Sequence, residues 1–134
     1  HVDVQQRDIE LLVEYCRHRL AREICSNYVD EDNKLHVVTL APALEQEITD
    51  AIQKAETGAY IPIEPRRADL IGTNGVQAVQ PLVLMGHEPV ILTSAVVRRY
   101  MKRVMGRKQP KITVLSYNEI DPAVQLESEG QVSA

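Results

Sequence analysis

The chain has no tryptophan and no phenylalanine, and its aromatics are five tyrosines. Its core must therefore be assembled from Leu, Ile, Val and Ala, without the large rings that usually dominate buried area. The same scarcity removes the stacking platforms used to hold single-stranded nucleic acid. There are two cysteines, Cys16 and Cys25. On one helix nine positions separate them by about 13 Å on opposite faces, beyond the reach of a disulfide. Cys16 falls on an apolar stripe and reads as a core thiol in a reducing compartment. No run approaches the roughly 20 apolar residues that cross a bilayer, and no signal-peptide pattern opens the chain. Because it begins with His1, it is expected to be a piece of a longer protein or a processed product.

Recognisable chemistry is also missing. Gly72-Thr-Asn-Gly75 has neither the spacing of a dinucleotide fingerprint nor an apolar strand before it, and no phosphate loop ends in Gly-Lys-Ser/Thr. His1, His18, His36 and His87 share no metal-ligand spacing. Ser94 and Ser116 lie outside any G-x-S-x-G turn, and neither cysteine has catalytic flanks. Glu45 and Glu47 project to different sides of their helix, so they form no paired carboxylate site. No catalytic residue, cofactor or metal is expected.

What the chain does have is segregated charge. Its net charge of −4 hides three blocks. Residues 1–65 carry 13 acidic and 6 basic side chains, residues 66–111 carry 2 and 9, and residues 112–134 carry 4 and none. Such blocks favour self-association or docking to charged partners. The plainer reading is a set of solvated faces.

Periodicity supplies the elements. Ile9, Leu12, Val13, Cys16, Leu20 and Ile24 make one stripe on a helix over residues 3–28. The polar run 30–33 ends it, and a strand over 35–40 follows. Pro42 opens a second helix, with stripe Leu44, Ile48, Ala51, Ile52 and Ala55, stopped by Gly58. Residues 60–63 read as a short extended piece confined to an edge by Pro62. In 66–87 a helical stripe competes with Gly72, Gly75 and Pro81, which predict a break. Val90–Leu92 and Ile112–Leu115 read as buried strands, and 124–132 as a final extended piece adding antiparallel at an edge. Between them Thr93 or Ser94 caps a helix from Ala95 to about Gly106. Its apolar side is Val97, Tyr100, Met101 and Val104; its other side is Arg98, Arg99, Lys102, Arg103 and Arg107. Strands alternating with helices predict an α/β sandwich with a mixed, partly parallel sheet, preceded by one N-terminal helix. The domain boundary falls near residues 29–34. Residues 1–31 would be a helix of, or a bridge from, a preceding helical subdomain, and 32–134 a C-terminal α/β subdomain.

Pro89-Val-Ile-Leu-Thr-Ser94, the helix with Arg98-Arg99-Tyr100, and Val114-Leu115-Ser116-Tyr117-Asn118-Glu119-Ile120 together resemble the C-terminal end of the export-gate family (FHIPEP). These are the FlhA-like proteins of bacterial flagellar and type III secretion systems. Leu20-Ala-Arg-Glu-Ile24, Leu35-His-Val-Val-Thr-Leu40 and Leu44-Glu-Gln46 are similar to the same family in the same order. The likeness spans about residues 7–132. Two departures stand out. Ala41 replaces the acidic residue common before the helix-opening proline, and Gly72, Gly75 and Pro81 interrupt a helix the family usually makes long.

The resemblance implies a protein-export role without enzymatic activity. It implies a cytoplasmic part, attached to inner-membrane segments outside this chain, that forms a nine-membered ring. Implied partners are other subunits of the same protein, export-apparatus proteins and chaperone–substrate complexes. Neither nucleic acid nor membrane contact by this fragment is implied. Arg98, Arg99, Lys102, Arg103 and Arg107 form the expected interaction surface. Two alternatives remain: a small α/β enzyme around His87, Glu88 and Ser94, and a nucleic-acid module using the 95–108 helix.

Overall fold

The computed structural model describes residues 33–56 and 63–134, together with Leu12 and Val29. The order is β1 (Lys34–Leu40), α1 (Pro42–Glu56), α2 (Pro65–Ala78), α3 (Gln80–Leu84), β2 (Val90–Thr93), α4 (Ala95–Lys108), β3 (Thr113–Ser116), a 3-10 turn (Tyr117–Glu119) and β4 (Gln125–Val132). The expected first helix and most of the 60–63 piece lie outside the described residues. Leu12, on the expected stripe, is helical and exposed.

The architecture is α/β, with one four-stranded sheet in the order β3-β2-β1-β4. Alternation along the strands divides it into two faces. Val38, Leu40, Ile91, Val114 and Val132 pack against α1–α4 in the main core. Leu35, Val37, Val90, Leu92 and Leu115 form the opposite face, against which Ile120 and Val124 pack. Burying both faces explains why β2 reads as the unbroken apolar run Val-Ile-Leu.

Two expectations are corrected. Among the described residues every strand pair is parallel, so β4 is not an antiparallel addition and their sheet is not mixed. The connection from Ser116 to Gln125 has 8 intervening residues, numbers 117 to 124. At about 3.3 Å each that is long enough to run diagonally across two strands spaced about 4.8 Å apart. Ile120 and Val124 fasten it there, which delivers the chain to the far side of β1 pointing the same way. The second correction concerns Gly72 and Gly75. They do not break the helix: α2 runs through both, and the interruption comes at Val79. A Cβ on Gly72 would sit 2.8 Å from Lys108 Cγ, and one on Gly75 2.8 Å from Met105 Sδ. These glycines let α2 lie close on α4. Pro81 then starts α3, where a missing N–H costs little.

Small devices fix the register. Asn33, at φ 62°, accepts from Gln125 N–H and donates its Nδ2 to Ala123 O, tying the starts of β1 and β4. Gly86, at φ 85°, ends α3 in a Schellman turn, with Gly86 N–H donating to Val83 O and His87 N–H to Leu82 O. One extra residue in β4 opposite Val37–Thr39 makes a bulge near its end.

Candidate functional site

The site is built on α4. Val97, Met101, Val104 and Met105 recur at helical spacing and are buried. Their transfer from water contributes about 6–12 kcal/mol and fixes the helix's rotation. The remaining positions must then face outward. Arg99, Lys102, Arg103 and Arg107 are exposed, and among the described residues none of them makes an ion pair. Ser94 occupies the cap position but makes no side-chain cap bond. Its own N–H instead donates to Glu45 Oε1 at 2.8 Å, binding α1 to α4.

Arg98 behaves differently from its neighbours. Its side chain is 15% exposed, with Nε 3.1 Å from Glu119 Oε1, and the glutamate is 1% exposed. This cation is committed to the interior and is not part of the exposed face.

The Leu115–Ile120 segment follows the same logic. Leu115 and Ser116 are buried at the end of β3. Ser116 N–H and Oγ both donate to Glu119 Oε1, at 3.0 and 2.7 Å, and Ser116 Oγ also contacts Asn118 Oδ1. A reciprocal capping box thus turns the chain sharply, and Ile120 drops onto the sheet. Only Tyr117 and Asn118 are presented to solvent. Burial, and secondarily the negative charge of Glu45, raises the Tyr117 pKa above its usual value.

Other features carry no sequence signal. Tyr117 (50% exposed) and Val96 (52%) form an apolar rim beside a hollow of about 600 Å³ that also touches Thr39, Glu45 and Gln131. It lies at the C-terminal ends of the strands, beside the point between β1 and β4 where the strand order reverses, where open parallel sheets commonly meet ligands. Arg67 grips Glu47 through two hydrogen bonds, of 2.9 and 2.6 Å, and donates to Ala134 O. The arginine holds the Glu47 carboxyl below its ordinary pKa. Asn74 Nδ2 donates to Ser133 O, so α2 secures the last residues. Tyr100, whose pKa burial raises, keeps a shielded hydroxyl without a hydrogen-bond partner among the described residues.

His87, Glu88 and Ser94 are not brought together. His87 lies before β2 and stacks on His36, ring centroids 3.8 Å apart, while His36 Nδ1 is 3.0 Å from Glu129 Oε1. Ser94 follows β2 at its opposite end, and Glu88 is exposed. The four residues of β2 keep them roughly 13 Å or more apart. Among the described residues no group of three or more His, Cys, Asp or Glu is placed to hold a metal. No helix among them is long and apolar enough to cross a membrane.

Residues 1–125 match the FHIPEP family. The flagellar biosynthesis protein FlhA of Bacillus subtilis is 35% identical over 125 residues, covering 93% of this chain and 18% of that protein. The chain thus spans less than a fifth of the length of the curated relatives it matches. A structure of the nonameric EPEC SctV-C superposes with a TM-score of 0.73 at 30% identity, over 91% of this chain and 36% of that one. The Chlamydia pneumoniae CdsV and CdsO complex gives a TM-score of 0.74 at 31% identity, over 92% of this chain and 36% of that one. By its sequence over nearly its whole length, and by a fold shared with those structures, the chain belongs to the FHIPEP family.

Proposed function

We propose that this chain is a docking and scaffold subdomain of a bacterial type III (flagellar) protein-export gate. It sits on the cytoplasmic side of the inner membrane, attached to membrane segments outside this chain. There it helps assemble the ring and receive chaperone–substrate complexes. Residues 1–31 belong to a preceding helical subdomain, which accords with the exposed Leu12 on an apolar stripe. Residues 32–134 are the working body.

The observation that carries this reading is the outward face of α4. Arg99, Lys102, Arg103 and Arg107 stand exposed without an ion-pair partner among the described residues, on a chain of net charge −4. Unneutralised charge concentrated on one helix steers encounter with an oppositely charged surface. Two similar proteins act as precedents: SctV-C is nonameric, and CdsV forms a complex with CdsO. The inward Arg98–Glu119 pair and the Ser116 capping box support the face and are not themselves contacts.

The test is charge reversal at Arg99, Lys102, Arg103 and Arg107 in the full-length protein, with secreted substrate measured per cell. Secretion is expected to fall while the purified chain keeps its circular dichroism and unfolding midpoint. Undiminished secretion would remove this face from the mechanism.

A further inference from the structure

Between the second half of α1, the start of α2 and the outer side of α4 runs a groove of about 450 Å³. Its floor combines Ile52 with three alanines, Ala51, Ala55 and Ala68. Alanines end at Cβ, so another backbone can approach closely. Tyr100 lines the groove, its Oη turned away from water and without a hydrogen-bond partner among the described residues. Arg103 and Arg107 also line the groove and are exposed, without an ion-pair partner among the described residues. Lys108, at the same end, is already bound to Asp69, so the unspent charge belongs to the two arginines.

An occupant that satisfies both features has aliphatic side chains for the floor and carboxylates for the arginines. An inorganic anion would leave the floor bare, and a purely apolar segment would leave the arginines unmet. The geometry points to a docking groove for an amphipathic helical segment of a partner protein, acidic along one flank. Leucine-like side chains at i, i+3 and i+4 lie over the alanines, and Asp or Glu meets Arg103 and Arg107. This inference rests on the docking role proposed above and assigns it a specific place and partner chemistry.

The probe is a fluorescein-labelled helical peptide of about four turns, with a leucine stripe at that spacing and glutamates on its flank. A counterpart carries lysine for glutamate. Anisotropy titration of the chain with the acidic peptide is expected to saturate and the lysine peptide to give no binding. Affinity for the acidic peptide should drop about tenfold or more in Arg103→Glu/Arg107→Glu. Ala55→Trp, at an exposed helix position, should block the groove without unfolding the chain. Amide shifts on titration should cluster at Ile52, Ala68 and Tyr100. Absence of saturation, equal binding of the lysine peptide, shifts centred elsewhere, or undiminished affinity in the double variant would overturn the groove. Secretion by the full-length double variant separates the two claims. Where the unaltered chain fails to bind the acidic peptide, reduced secretion by this variant leaves the docking face standing and removes the groove, whereas normal secretion removes both.

Discussion

Removing the positive charge of Arg98 tests whether this residue is structural. In Arg98→Met, Glu119 remains 1% exposed and still accepts both hydrogen bonds from Ser116, but loses the guanidinium at 3.1 Å. Breaking one side of a buried pair costs about 3–5 kcal/mol. Because Arg98 is 15% exposed and both residues have further interactions, about 2–4 kcal/mol is the better expectation. In urea, where small domains lose about 1–3 kcal/mol per molar, the midpoint should fall by about 1–2 M. Glu119→Gln keeps an acceptor for Ser116 and removes only the charge. Arg98 can then turn its head to water, so this variant should cost less, about 1–2 kcal/mol. In the double variant no buried carboxylate is left without its cation. The two single effects should therefore fail to add by at least about 1 kcal/mol. Urea titrations of the four proteins at pH 7, followed by circular dichroism, measure this. Additive effects, or an Arg98→Met cost below about 0.5 kcal/mol, would refute the assignment and return Arg98 to the exposed surface.

Further outcomes follow from other residues. Gly75→Leu should destabilise by about 1–3 kcal/mol, because even a Cβ there stands 2.8 Å from Met105 Sδ; thermal unfolding checks it, and Met105→Ala in the same chain should recover part of the loss. Tyr100→Phe removes a hydroxyl that has no partner among the described residues, so stability should stay level or rise by up to about 1 kcal/mol. Loss on this change would show that the hydroxyl is already satisfied. Glu47 has a lowered pKa when folded, so its contribution is present above the unfolded value and is lost as the pH falls through the folded one. Unfolding midpoints from pH 6 to pH 3 should therefore decline less in Glu47→Gln than in the parent. The difference should stay within about 1 kcal/mol, since the pair is partly exposed.

Much of the architecture was legible because two periods dominate the chain. The 3.6-residue stripe of α4 and the apolar triplet of β2 each admit one reading, and both occur where expected. The glycines of α2 misled because Gly signals a break in a local window, whereas here the requirement comes from side chains 30 and 36 positions farther along the chain, Met105 against Gly75 and Lys108 against Gly72. The direction of β4 misled for a similar reason. Nothing local in residues 117–124 says that the segment crosses a face, and the pairing of Ile120 with the sheet becomes visible only in three dimensions. Within the site, the four exposed cations followed from the helical wheel. Arg98 did not, because its inward turn depends on Glu119, which lies 21 positions away on the far side of β3. The groove beside Tyr100 was invisible for the same reason: its alanines count individually as ordinary helix formers and gain meaning only when α1, α2 and α4 converge.

The central claim is that the α4 face works through its positive charge. The most direct measurement compares secretion by two full-length variants, one with Arg99, Lys102, Arg103 and Arg107 all changed to glutamate, the other with the three arginines changed to lysine. The glutamate variant should secrete poorly and the charge-preserving variant should retain most secretion, with both chains equally stable. Equal secretion by the two, whether normal or abolished, would contradict it.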